Sequence, residues 1–314
     1  MTSEVTNEAG RPPSARPFRL RPSSSGAALA EAGPALAAAG IDAPRLTAEA
    51  LLAHVLGLTR TQLLARPELP LDPEPQARFQ ALLERAGRGE PLAYLLGRRE
   101  FHGLDFQVDA RVLVPRPETE LLVDRALAWL AALPAGADRH ILDVGTGSGC
   151  IAVTLAVKHP AARVTAVDLS ADALAVARQN AERHGVAGRI AFFRSDLLEG
   201  LRLLQPQFAL ICANLPYIAS DELRALPVAA HEPRLALDGG PDGLLWVRRL
   251  LVDAPQALRA DGGVLLEIAA TQGETAAQLA RAAFPDARVS VHRDLAGLDR
   301  LVEIERRAGR ALGA

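Results

Sequence analysis

The spacing of apolar positions changes along the chain, and the changes divide it. From residue 27 to residue 89 the period is helical. Leu51, Leu52, Val55 and Leu56 share one face of a helix that stops at Gly57, and Phe79, Leu82, Leu83 and Ala86 repeat the pattern before Gly87. Pro34, Pro44, Pro67, Pro70, Pro73 and Pro75 punctuate the intervals, so this stretch predicts a bundle of roughly four or five short helices.

Residues 90–123 have a different texture. Phe101 to Val108 alternates apolar and polar around Gly103, Leu104 and Asp105, which predicts a β-hairpin. Val112-Leu113-Val114 then runs into Pro115-Arg116-Pro117-Glu118-Thr119-Glu120, with Thr119 or a neighbour placed to cap a helix from Leu121 to Leu133. This segment is expected to link the bundle to the rest of the chain and to lie near a site.

From residue 124 to residue 314 helical periods alternate with short β-branched runs, the signature of an open α/β sheet. The predicted strands are Ile141 to Val144, Arg163 to Asp168, Ile190 to Arg194, Phe208 to Ala213, Val264 to Ile268, Val289 to His292 and Leu301 to Ile304. A Rossmann-like, seven-stranded doubly wound domain preceded by a helical bundle is the expected architecture, with ligands beyond the carboxyl ends of the strands.

Composition adds bounds. The 314 residues are 49% hydrophobic and 23% charged with a formal charge of -2, so no global positive field draws the protein to nucleic acid or to anionic membrane. No apolar run reaches the roughly 18 residues of a membrane span. Cys150 and Cys212 sit in apolar sequence without a partner at metal-ligand spacing and read as core residues of a reduced, cytoplasmic protein; no metal is expected. Residues 1–26, with Arg11, Pro12, Pro13, Arg16, Pro17, Arg19, Arg21 and Pro22, read as a disordered extension.

The chemistry sits at the strand ends. Ile141-Leu142-Asp143-Val144 runs into Gly145-Thr146-Gly147-Ser148-Gly149 and then into a helical segment, a loop whose glycines let a ligand approach main-chain N–H groups at a helix start. The dinucleotide fingerprint requires a third glycine where this chain has Cys150, so a nicotinamide cofactor is disfavoured. Asp168, at the end of the next strand, is placed to take the hydroxyls of a ribose, and Asp196 with Leu197 to hold an adenine amine and ring face. The strand Phe208 to Ala213 breaks at Asn214-Leu215-Pro216-Tyr217. There an amide oxygen and a main-chain carbonyl can grip the two N–H bonds of an amide or exocyclic amine while the aromatic ring stacks on its face. A strand-ending turn in which Asn214 caps and Tyr217 packs is the alternative for these residues alone. Glycine loop, two acids and Asn-Leu-Pro-Tyr on four consecutive strands together indicate S-adenosyl-L-methionine.

At these positions the chain resembles the glutamine-amide methyltransferases of peptide chain release factors, whose signature is an Asn-Pro-Pro-Tyr loop on an S-adenosylmethionine fold. The resemblance covers about residues 36–307 and includes GEPLAYLLGRREFHGLDFQVDARVLVPRPETELLV, ILDVGTGSGCIAVTLA, NLPYI, HEPRLALDGGPDGL and LLEIAATQG. It implies cofactor contacts from Gly145, Thr146, Gly147, Ser148, Gly149, Asp168, Leu197 and Asn214, and a grip on the substrate glutamine by Asn214, Leu215, Pro216 and Tyr217. The implied partner is a release factor, methylated on the glutamine of its Gly-Gly-Gln loop. Leu215 departs from the family's proline; its carbonyl can still accept the second amide hydrogen, while loop rigidity is reduced.

Two other substrates remain open. One is a ribosomal-protein glutamine. The other is an adenine amine of RNA or DNA, against which stand an aromatic content of 4% and the acids Glu31, Glu49, Glu68, Asp72, Glu74 and Glu84 in the helical segment. A non-catalytic cofactor-binding scaffold would not need Asn214, Pro216 and Tyr217 together.

Overall fold

Ser24 opens the first helix, α1 (Ser25–Ala38), by accepting the Ala27 N–H on its hydroxyl. Prolines at the first helical position start α2 (Pro44–Leu56) and α4 (Pro73–Gly87), where a missing N–H leaves nothing unpaired. Gly57 ends α2 in the left-handed conformation, φ 66°. The short helices α3 (Arg60–Leu64) and α5 (Leu92–Leu96) complete the set. Leu36, Leu51, Leu52, Phe79 and Leu83 are fully buried in a common core, with Leu95 of α5 packed among them.

The computed structural model describes residues 23–204 and 207–306, and the chain divides into two compact units after Leu96. The helical unit therefore starts two residues before the expected position 27 and runs past residue 89. Five residues of α5 are too few for a helical period to register in sequence. Residues 1–22 of the expected extension lie outside the described residues.

The second unit begins with a hairpin, β1 (Arg98–Phe101) and β2 (Leu104–Gln107), paired with Phe101 opposite Leu104. Its turn is His102-Gly103, not Gly103 to Asp105, and both residues have positive φ (52° and 76°), as a two-residue hairpin turn requires. The His102 N–H donates to Glu120 Oε1 at 2.9 Å, which helps to hold the non-glycine residue in that conformation. A single 3-10 turn (Pro117–Thr119) leads into α6 (Glu120–Ala132); Thr119 does not cap it with its side chain.

The main sheet then follows in alternation: β3 (His140–Val144), α7 (Cys150–Lys158), β4 (Arg163–Asp168), α8 (Ala171–Arg183), β5 (Ile190–Arg194), β6 (Phe208–Ala213), α9 (Ser220–Leu223), α10 (Leu245–Ala257), β7 (Leu258–Glu267), α11 (Gly273–Ala283), β8 (Arg288–Arg293) and β9 (Asp299–Glu305). The seven strands lie in the order β5-β4-β3-β6-β7-β9-β8. β5 to β7 are parallel and β9 and β8 antiparallel. All seven predicted strands are present; β7 starts earlier, at Leu258, and stops one residue before Ile268.

β6 is buried along its whole length. Ile211 and Ala213 enter one apolar layer with α10 and α11, while Leu210 and Cys212 enter the other with α6 and α7, as the two-residue period of a strand dictates; Phe208, beyond a shift in the pairing with β7, joins the first layer. The order of strands reverses between β3 and β6. Ligand crevices of open α/β sheets form at that reversal, beyond the carboxyl ends. Val144 pairs with Ala213, so Gly145 and Asn214 leave the sheet side by side.

Candidate active site

A cleft with a cavity volume of about 130 Å³ opens at this reversal. Gly145, Gly147, Asp168, Asp196, Leu197, Asn214, Leu215 and Pro216 line it, together with Val112, Leu113 and Trp246. Most of the residues singled out in the sequence therefore meet in one place. Thr146, Ser148 and Gly149 do not line the cleft, and Tyr217 lines an adjoining cavity with Arg116, Asn214 and Leu215.

The glycine loop is braced from inside. The Thr146 hydroxyl donates to Asp143 Oδ2 at 2.6 Å, and the same oxygen accepts the Ala152 N–H at 3.2 Å, tying loop to helix. Complete burial pushes the Asp143 carboxyl up to about 7. Asn180, fully buried on α8, donates to the Ser148 carbonyl at 2.8 Å. Gly149 has φ 80°, and a side chain there would stand 3.1 Å from the Ala177 Cβ, so close packing of α7 on α8 requires glycine. At Gly145, φ 73°, a Cβ would stand 3.2 Å from the Leu215 side chain and narrow the space between the loop and residues 214–217.

Asp168 accepts one backbone N–H on each oxygen, from Gly147 at 2.9 Å and from Ser170 at 2.9 Å. Burial raises its pKa, and these two donors oppose the rise. Each oxygen retains a lone pair for a further donor, the chemistry needed to hold vicinal hydroxyls. Leu197 has φ 49°, strained for a leucine. Its carbonyl is held by the Ser195 hydroxyl at 2.8 Å, and that hydroxyl accepts the Gly200 N–H at 2.9 Å. Asp196 is engaged on one oxygen by Arg249 at 2.9 Å, and Arg249 in turn lies 5.1 Å from the centre of the Trp246 ring. An acidic edge, an apolar floor at Leu197 and a ribose-type carboxylate fit an adenosine group. Nothing in sequence marked Trp246, because α10 is brought to the cleft only by the fold.

On the other wall, Asn214 Nδ2 donates to Thr119 Oγ1 at 3.0 Å, which leaves Oδ1 as the acceptor of that side chain. Thr119 is 1% exposed and arrives from the Pro115-to-Glu120 segment. Glu232 fixes that segment: it accepts the Val114 N–H at 3.0 Å and Arg116 Nη2 at 2.6 Å. Gln272 donates to the Tyr217 carbonyl at 3.1 Å, and burial raises the Tyr217 phenol above its ordinary range. Gly239 and Gly243 are required against this loop, because a side chain on either would stand under 3 Å from the carbonyls of Pro216 and Tyr217. The DGGPDG stretch thus acts as scaffolding for Pro216 and Tyr217, and Glu232 of the HEPRL stretch for the segment that carries Thr119. Glu267, at the end of β7 beside Asn214, is a site residue that sequence reasoning missed. An acid ending the run Val-Leu-Leu-Glu-Ile was the available signal.

A family model described as the PrmC N-terminal domain matches residues 27–97, and one described as the methyltransferase small domain matches residues 122–231. The chain is 46% identical over 274 residues to the release factor glutamine methyltransferase of Moorella thermoacetica, covering 87% of this chain and 95% of that protein. With the protein of the same name from Chlorobaculum tepidum it shares 45% over 266 residues, covering 83% and 90%. Among solved structures, the delta-N METTL16 methyltransferase domain superposes with a TM-score of 0.50 at 16% identity, over 65% of this chain and 89% of that one. At that identity the likeness speaks for the fold.

Proposed function

Because the chain belongs to the release factor glutamine methyltransferase family, we propose that it methylates the side-chain amide nitrogen of the glutamine in the Gly-Gly-Gln loop of a peptide chain release factor. Its cofactor is S-adenosyl-L-methionine, which when bound supplies an electrophilic sulfonium methyl group. Gly145, Gly147, Asp168, Asp196 and Leu197 are the residues proposed to hold it, with Thr146, Ser148 and Gly149 shaping the loop. A translation factor as substrate also argues for a cytoplasmic site of action.

The observation that carries this reading is the position of Asn214 across one cleft from the glycine loop and Asp168, with its Nδ2 committed to Thr119. A carboxamide nitrogen is a poor nucleophile because its lone pair is delocalised into the carbonyl. Asn214 Oδ1 and the Leu215 carbonyl, accepting its two hydrogens, would favour a pyramidal nitrogen with the lone pair aimed at the methyl group. Pro216 stiffens the loop and Tyr217 flanks the amide. No residue need act as a strong base, since a methylated cationic amide is acidic enough to release its proton to water.

The test is methyl incorporation into a purified release factor in the presence of cofactor, with the modified residue mapped by mass spectrometry. Modification of the Gly-Gly-Gln glutamine is expected. Labelling of a ribosomal protein or of RNA with the release factor untouched would overturn the substrate assignment.

A further inference from the structure

Glu267 closes β7 with a carboxylate that has neither solvent nor a formed hydrogen bond: the residue is 2% exposed, and both carboxyl oxygens are buried without a partner. An acid left in that state is costly unless something else depends on it. β6 and β7 run parallel with Ala213 opposite Leu266, so Asn214 and Glu267 are the next residues on adjacent strands. Thr119 Oγ1 takes the Asn214 Nδ2 proton at 3.0 Å. The Thr119 hydroxyl and the Asn214 amide both face the carboxylate and favour its charged form, although neither contact is short and straight enough to count as a hydrogen bond.

We propose that Glu267 is a positioning residue for methyl transfer: its carboxylate, acting directly and through Thr119, holds the Nδ2 end of Asn214 inward and so presents Oδ1 to the substrate amide. This inference rests on the glutamine-amide reading above. Hydrogen accounting gives it its direction. An ionised carboxylate only accepts, a threonine hydroxyl has one proton to give, and an amide NH₂ only donates. With Glu267 ionised, the Thr119 proton turns to the carboxylate, the hydroxyl lone pairs take Asn214 Nδ2–H, and the second Nδ2 hydrogen also faces the carboxylate. The amide is thereby locked with Oδ1 outward. Once Glu267 is protonated it can itself donate, the hydroxyl is released to donate to Asn214 Oδ1, and a flipped Asn214 would offer NH₂ to a substrate NH₂, donor against donor.

The charge state of Glu267 is set by burial, which pushes the carboxyl up to about 7, opposed by Thr119, by the Arg300 guanidinium and by Asn214, and reinforced by the Glu118 carboxylate. Tyr217 and Cys150 also feel its charge and are both raised by it, with burial the larger cause in each. The switch between the two amide orientations therefore falls close to neutrality.

Wild-type kcat on the release factor is expected to rise with pH through the range near 7 in which Glu267 ionises. Glu267→Gln should lower kcat on the order of 10-fold to 100-fold, as outer hydrogen-bond partners of a reactive group do, and abolish that rise, with KM for the release factor and cofactor affinity unchanged. Thr119→Val should reproduce the loss, and Thr119→Ser, which keeps the hydroxyl, should restore it. Either Glu267→Gln or Thr119→Val retaining wild-type kcat and its pH dependence would overturn the proposal, as would an equal loss in Thr119→Ser. Titration of the Glu267 carboxyl by ¹³C NMR provides a readout that needs no turnover. Its midpoint should move upward in Thr119→Val, and an unmoved midpoint refutes the coupling. Failure of the wild-type enzyme to methylate a release factor would remove the proposed function, whereas the carboxyl titration would still decide whether Thr119 and Glu267 act together.

Discussion

The two walls of the cleft are built to different standards. On the glycine-loop side the polar groups are mostly paired within the fold: Asp143 through Oδ2 with Thr146 and Ala152, although its Oδ1 is buried without a partner, Asn180 with the Ser148 carbonyl, Asp168 with the Gly147 and Ser170 amides. On the Asn214 side a buried acid, Glu267, stands unpaired behind the loop. The first wall has only to offer a fixed outline to a bound adenosine group, and the hydrogen bonds of Asp143 Oδ2, Asn180 and Asp168 within the fold give rigidity. The second must hold an amide in one of two near-isosteric orientations, and an acceptor-only charge is a device that tells them apart. Burying it unpaired costs stability, which is acceptable where the alternative is a loss of chemistry.

The largest effect that can break this contrast is at Asn214. Asn214→Ala removes the acceptor for the substrate amide and should lower turnover on the order of 100-fold or more, the scale seen when a preorganised transition-state contact is deleted. Single-turnover rates with saturating cofactor check it, and a variant that keeps most of its rate would mean that the 214 side chain does not touch the reacting group. Asp168→Ala attacks the other wall and should act on binding instead of chemistry. Loss of two charge-assisted contacts to a ribose weakens S-adenosylmethionine affinity by about 1.5–3 kcal/mol, roughly 10-fold to 100-fold, measurable by calorimetry. If the affinity were unchanged and turnover fell, the division of labour between the walls would have to be redrawn.

Sequence carried the sheet better than it carried the site, and the reasons are local. The central strands were legible because a buried parallel strand is an unbroken apolar run, as in Phe208 to Ala213. Gly145, Gly147, Asp168 and Asn214, which line the cleft, were legible because they stand where such runs break at their carboxyl ends. Trp246 and the contact of Thr119 with Asn214 were not, since Trp246 reaches the cleft and Thr119 reaches Asn214 through tertiary contacts that leave no periodic trace: one rides on a helix, the other on a 3-10 turn. Thr146, Ser148 and Gly149 were read as cofactor contacts, yet the fold uses them to brace the loop, a role that the same residue types at the same spacing serve equally well. Glu267 was hidden by its own surroundings, for one acid at the end of an apolar strand looks like a strand terminus.

A smaller effect sharpens the cost side of the comparison. The Glu267 carboxyl lies near 7 in the folded protein against an ordinary 4.5. The folded state therefore binds this proton more tightly than the unfolded one. Its contribution to stability is fully present below about 4.5 and is lost as pH rises through about 7. Glu267→Gln, neutral at every pH, should melt at a higher temperature than the wild type at pH 8, with the difference shrinking toward pH 5. A gain of several degrees is expected, at about 2–4 °C for each kcal/mol in a protein of this size. Calorimetric scans at the two pH values test it. A variant that is less stable than the wild type at pH 8 would show that Glu267 is satisfied in the fold after all.

The smallest effect on turnover is expected at Leu215. The main-chain carbonyl, which is the group proposed to grip the substrate, survives any substitution here. Its side chain does something else: Leu215 is 5% exposed, packs in the apolar layer with Val144 and Ala213, and approaches the backbone of Gly145 from across the cleft. Leu215→Pro would restrict the unfolded chain, a gain of about 0.4–1 kcal/mol where the backbone is compatible. It would also remove buried methyl groups, whose loss in cores costs about 1–3 kcal/mol when the site only partly collapses. The second term is the larger, so the variant should melt a few degrees lower while keeping kcat within about two-fold or three-fold of the wild type. Thermal denaturation and steady-state rates on the same preparation separate the two. Abolished turnover in a protein that still folds would give the Leu215 N–H or side chain a direct part in holding the substrate, and would place the second wall's chemistry in a wider stretch of loop than Asn214 alone.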